Sequence, residues 1–189
     1  MTDLPPIWPQ PITITKLEAA RRQLNTALEL WFDDGDPVAI HTLAYAAYEI
    51  IHVLSKKNGR LRALVFDSDI IKDEFRSEWN VLVKKEDNFF KHANNDSIRM
   101  LKFNPSLSEL FLTFAARGLY YCGEDPTDTE RAFLVRLAYE RPRFFTDEGR
   151  KLYLDRFPVD EIENIRNTPR NAFLIGWRLG MEQLRRQKT

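Results

Sequence analysis

An all-α fold, a single bundle of about seven or eight helices, follows from three features of this 189-residue sequence. Apolar residues recur at three- and four-residue intervals through most of the chain, which is the spacing of one helix face and not of a strand. Capping signals stand where those segments begin: Thr15-x-x-Glu18, Asp36-Pro37, Ser106-x-x-Glu109, Thr127-x-x-Glu130 and Thr168-Pro169. Each of these offers a side-chain oxygen, or a proline at the first helical position, to a helix start whose N–H groups lack partners. Prolines and glycines fall almost entirely between the periodic segments. A chain of this length buries one core, so we expect one helical domain, 15–189, behind an arm over 1–14.

Taken in order, the arm carries prolines at 5, 6, 9 and 11 with Ile7 and Trp8 between them, a composition that blocks both helix and sheet. Trp8 is expected to dock it on the body. The first helix carries Leu17, Ala20, Leu24, Leu28 and Trp31 until Asp33-Asp34-Gly35 stops it. The second starts at Asp36-Pro37, buries Ile40, Leu43, Ala44, Ala47, Ile51 and Leu54, and is expected to stop at Asn58-Gly59. Leu61–Phe66 is the only strand-like run, too short and isolated for a sheet. Asp69–Val83 reads as one or two short helices, and Asn88–Asn94 as another short one or the end of the one before. Later helices are predicted from Ser106 to Gly123, from Thr127 to Arg141-Pro142, over Thr146–Phe157, over Pro158–Arg166, and from Thr168-Pro169 to about Arg186.

The charge balance narrows the partners. Lys and Arg total 28 against 28 for Asp and Glu, so no global field draws in a polyanion, and nucleic-acid binding would need a local basic patch. Two candidates exist, Lys56 to Arg62 and Arg178 to Lys188, although cations at helix C-termini also complement the helix dipole without a partner. The single cysteine, Cys122, excludes an intramolecular disulfide and reads as a buried structural thiol, which points to a reducing cytoplasm. We expect no signal peptide and no membrane span, since no apolar run looks long enough. Phosphate-loop, dinucleotide, nucleophile-elbow and zinc signatures are absent from the sequence, so no cofactor is expected.

Three constellations are left that could carry chemistry. Glu49-x-x-His52 has the spacing used by di-iron bundles, but His41 and His92 follow Val38 and Phe89 at that spacing, so no second pair exists and no metal is expected. On the second helix His41, Tyr45, Tyr48 and His52 make a stripe about a quarter-turn from the apolar face. It reads as ligand-lining, with His41, Tyr45 and His52 as candidates, or as a semi-polar interface through which the protein dimerises. The third is Asp87–Asp96, where Phe89 and Phe90 should anchor in a core and hold Asn88, Lys91 and His92 at a surface. Such a layout serves a site, and equally an amphipathic turn.

A proline-capped second helix containing Ala-Tyr-Ala-Ala-Tyr-Glu (44–49), followed by Asn88-x-x-x-His92, resembles the HEPN superfamily over roughly Thr15–Asn95. The chain also resembles a group of proteobacterial proteins that share Asn-Phe-Phe-Lys-His-Ala (88–93). The HEPN resemblance implies a bacterial helical bundle, a homodimer, and RNA or a nucleotide as partner, with metal-independent RNA cleavage in catalytic members. It places His92 at the family's histidine and Asn88 at the polar residue that pairs with it. The arginine expected five to seven residues before the histidine is missing; Asp87 and Glu86 stand there, and only Lys85 offers a cation. An aspartate repels phosphate, and lysine lacks the bidentate fork. On this reading His92 is a general acid or base, Lys85 or Lys91 stabilises phosphate charge, and Asn88 orients the phosphate or the imidazole. A non-catalytic interaction module and a small-molecule-binding bundle remain as alternatives.

Overall fold

A computed structural model of the protein describes residues 11–57, 65–66, 72–92, 100–154 and 159–187, apart from the side chains of 144, 152–154, 159–160 and 162. Among these residues there are eight α-helices and no strand. Helix α1 spans Lys16–Phe32 and opens with the reciprocal box foreseen from its sequence: Thr15 Oγ1 accepts from the Glu18 N–H while the Glu18 carboxylate accepts from the Thr15 N–H. Helix α2 spans Pro37–Lys57, and Asp36 Oδ1 accepts from the Ala39 N–H at 2.8 Å. The same logic starts α5, Asp128–Glu140, where Thr127 and Glu130 exchange bonds.

Two expected caps do not form. Helix α4, Ser106–Tyr121, has Pro105 as its cap, and Asn104 Oδ1 accepts from the Ser106 N–H, so Ser106 with Glu109 is not a capping box. The reason lies in the core, where the Glu109 carboxylate is held by groups from other helices. Helix α8, Arg170–Arg186, starts behind Pro169, and the Thr168 hydroxyl donates backwards to the Asn164 carbonyl in α7, Val159–Asn167. The remaining helices are α3, Arg76–Lys91, entered through a 3-10 turn at Asp73–Phe75, and α6, Asp147–Leu154. Thus Asn88–Lys91 ends the preceding helix instead of forming one of its own. The arm over 1–10, the strand-like residues 61–64, the stop at Asn58-Gly59, Asn94–Asp96 and Phe157–Pro158 lie outside the described residues.

Helix α2 organises the packing. It contacts α1 and α4 along its length and α3 on a third side. Its Ile40, Ala44, Ala47 and Ile51 meet Leu24, Leu28 and Phe32 of α1 and Phe111, Leu112 and Leu119 of α4 in one core. Helix α5 supports a second layer, with α8, α6 and α7 around it and α1 beneath. The absence of a span-length apolar segment inferred above does not hold: at 21 residues α2 is long and apolar enough to cross a membrane. In this fold that length serves a helix covered on three sides.

The end of α4 shows why glycine is required at one turn. Gly123 has φ of +88°, where a Cβ is strained, and its N–H closes onto the Tyr120 carbonyl. Beside it Cys122 is half-buried with Sγ 3.6 Å from Ser55 Oγ, the setting of a packing thiol. In α8, by contrast, a Cβ at Gly176 would meet nothing within 4 Å. Gly123→Ala should therefore lose about 1–2 kcal/mol of stability, while Gly176→Ala should gain about 0.5–1 kcal/mol through helix propensity. Urea midpoints of the two variants, moving in opposite directions from wild type, check this.

Candidate functional site

The C-terminal end of α3 is built by its two phenylalanines. Phe90 is half-buried with its ring edge-on to His41 at 5.6 Å and Phe103 at 5.1 Å, and Phe89 rests on Phe90 at 5.9 Å. Only the Phe90 ring is turned onto the body, against His41 and Phe103, while among the described residues the Phe89 ring touches Phe90 alone and is not anchored in the core as expected. Lys85, Asn88 and His92, spaced by three and four residues, lie exposed along one strip of the helix. His92 caps the helix in an extended conformation, φ −128° and ψ 116°, and its N–H donates to the Asn88 carbonyl at 3.1 Å. Helix geometry thus brings the three candidate catalytic residues onto one solvent-facing edge.

Lys91 lies beside this strip in a different environment. Its Nζ is 3.0 Å from Asp87 Oδ1, 3.8 Å from Glu49 Oε2 and 5.1 Å above the Tyr45 ring. Asp87 is buried, and desolvation raises its pKa against the lowering pull of Lys91. The Tyr45 phenol is likewise pushed up, first by burial and then by the Glu49 charge. Two carboxylates and an aromatic face neutralise the Lys91 ammonium, so the cation left to the strip is Lys85, which pairs with no carboxylate among the described residues.

The stripe on α2 divides. His41, Tyr45 and Tyr48 are fully buried within the chain's own core, so they do not offer the interface expected of the stripe. His41 Nδ1 stands 3.1 Å from Ser108 Oγ, its ring is enclosed by Tyr45, Phe90, Phe103 and Phe111, and the Tyr48 hydroxyl accepts from the Phe66 N–H at 3.1 Å. His52 alone reaches an edge, half-buried against Tyr48 and Phe66 in a cleft of about 280 Å³ shared with Glu49, Lys56, Asn80 and Lys84. Glu49 and His52 are joined by no third ligand, and the described residues contain no group of three metal-ligating side chains.

A second polar centre has no counterpart in the sequence reading. Glu109 is buried, and its carboxylate accepts from Trp31 Nε1 at 3.3 Å and from Arg141 Nε at 3.0 Å and Nη2 at 3.3 Å, with Arg170 Nη2 at 3.5 Å. Arg170 also reaches Glu140 at 2.6 Å and Asp34 at 3.3 Å, and its guanidinium stacks 3.8 Å over the Trp31 ring. Arg136 pairs with Glu140 at 2.7 Å. Burial acts to raise the Glu140 pKa, but the hydrogen bonds and charges of Arg170 and Arg136 together leave it lowered. The C-terminal basic run is also internally paired: Arg178 with Glu29, Arg185 with Asp128 and Arg186 with Glu182. In the other basic cluster only Lys56 and Lys57 are among the described residues.

No family model, no curated protein and no solved structure matches this chain.

Two outcomes follow from the buried groups. The His41 pKa is lowered to about 4, first by burial and then by the Lys91 charge. Since the unfolded chain protonates nearer 6.5, it takes up the proton first, and stability falls as pH drops from about 6.5 to 4, by roughly 3 kcal/mol. His41→Gln removes this share of the pH dependence, visible as a flatter plot of unfolding free energy against pH. Arg170→Met should cost roughly 3 kcal/mol, because it leaves Glu109 and Glu140 short of a guanidinium in a desolvated setting; thermal unfolding at neutral pH measures it.

Proposed function

We propose that this chain is a HEPN-like helical protein that binds RNA or a nucleotide along the outer edge of α3, with weak, metal-independent endoribonuclease chemistry at most. One observation carries the reading: Lys85, Asn88 and His92 share an exposed strip, while Phe90 fixes the helix end that presents it. An imidazole presented at an exposed helix end can exchange a proton with a 2′-hydroxyl or a leaving oxygen. Lys85 supplies a cation for the phosphate and Asn88 a hydrogen-bonding amide between the two. Asp87 and Glu49 explain why the chemistry is weak: they neutralise Lys91 and add negative charge beside the place a phosphate would occupy. Binding thus exceeds cleavage.

An RNA-cleavage assay in EDTA, with single-stranded RNA and wild-type protein, tests both parts. His92→Ala should abolish cleavage, a loss of 10²-fold or more in the range expected for general acid–base catalysis, with an unchanged melting temperature because the residue is exposed. Lys85→Ala should weaken RNA binding measured by fluorescence anisotropy and leave stability unaltered. Cleavage and binding that persist in both variants would overturn the assignment.

A further inference from the structure

At the end of the bundle opposite Lys57, several helix ends converge on a cavity of about 250 Å³. Its walls come from the end of α1 and the turn after it, the starts of α2 and α4, and the two arginines that hold Glu109, Arg141 and Arg170. From these observations we infer that the cavity is a binding site for a small organic carboxylate with a planar apolar body. The site stands apart from the α3 strip, so the inference does not depend on the RNA reading.

The first argument is the state of Arg141. Its Nε and Nη2 grip Glu109, while the side chain remains 45% exposed, lines the cavity, and has an Nη1 that makes no hydrogen bond among the described residues. A guanidinium held from behind by a buried carboxylate is fixed in orientation and retains donors for a second carboxylate, the partner its planar fork fits best. Next to it the Ser106 hydroxyl lines the cavity and makes no hydrogen bond within the described residues. The second argument is the rest of the lining. Pro37, Ile40 and Pro105 offer apolar surface, and Trp31 adds the edge of an indole capped by Arg170. A few convergent polar groups on apolar walls are the make-up of small-molecule pockets. At ~30 Å³ per water the space holds about eight waters, or one small ring with its substituent.

Charge decides between anions. Four charged groups face the cavity, Arg141 and Arg170 against Glu109 and Asp34, and Glu109 is already committed to both guanidiniums. A monoanion can take the free edge of Arg141. A phosphate dianion would face the Asp34 carboxylate at the rim as well as Glu109 behind the arginine, and would leave the apolar walls wet.

The test uses the full chain with benzoate and inorganic phosphate as separate probes, followed by the Trp31 indole N–H signal in ¹⁵N-correlated NMR spectra. Benzoate is expected to shift that signal saturably at millimolar concentration, and phosphate at the same concentration to leave it nearly still. Arg141→Gln should weaken benzoate binding at least tenfold. Because that change also loosens Glu109, Ser106→Phe serves as the second variant: it leaves the ion cluster intact, fills the cavity from an exposed position, and should weaken binding to the same degree. The inference is overturned by an unshifted Trp31 signal, by equal response to phosphate, or by benzoate binding that survives both substitutions.

Discussion

Glu109 is buried with its carboxylate held by an indole and two guanidiniums, and the arrangement of the helix ends around it follows from that. A carboxylate buried in a helical core must gather donors from wherever the chain can deliver them. Here they come from the last turn of α1 through Trp31, the end of α5 through Arg141, and the first residue of α8 through Arg170. Each of those helices is thereby pinned at one end, while apolar packing sets the rest of its course, that of α1 against α2 and α4 and that of α8 against α5. Such a cluster adds little net stability compared with well-packed apolar residues, but any arrangement that separates its members strands a charge. Separating those members is therefore costly at the end of the bundle where a cavity is left open.

Much of the fold was legible from local chemistry. Thr15 with Glu18, Asp36 with Pro37, and Thr127 with Glu130 each act over three residues, so their geometry is contained in the sequence that spells them. Ser106 with Glu109 has the same spelling and fails, because partners 32 and 78 residues away claim the glutamate. No local pattern announces such partners. One signal was available: Arg136 interrupts a run from Ala132 to Tyr139 that is otherwise apolar and buried on all sides, and an arginine in that position requires an acid nearby. The candidate site divides in the same way. Exposure of Lys85, Asn88 and His92 follows from helical spacing once Phe90 turns inward. Burial of His41 and Tyr45 depends on Phe103 and Phe111, which arrive from a different part of the chain.

His41 ties the two polar regions together. On one side its Nδ1 meets Ser108, which lines the cavity; on the other its ring meets Phe90, two residues before His92. Burial keeps the imidazole neutral at physiological pH, so it works there as a shape with one hydrogen bond and not as a charge. The start of α4 and the end of α3 thus both rest on the one buried ring.

The contacts of Arg170 bear on how the molecule is put together during synthesis. Its guanidinium meets the Trp31 carbonyl from 139 residues away, a loop closure that local helix formation cannot hasten. While a ribosome is still extending the chain, the earlier helices can assemble around α2, with Glu109 held by Arg141 and the indole face left bare. Helix α8 covers that face only once Arg170 has been made, so this part of the bundle closes after the helices that precede it.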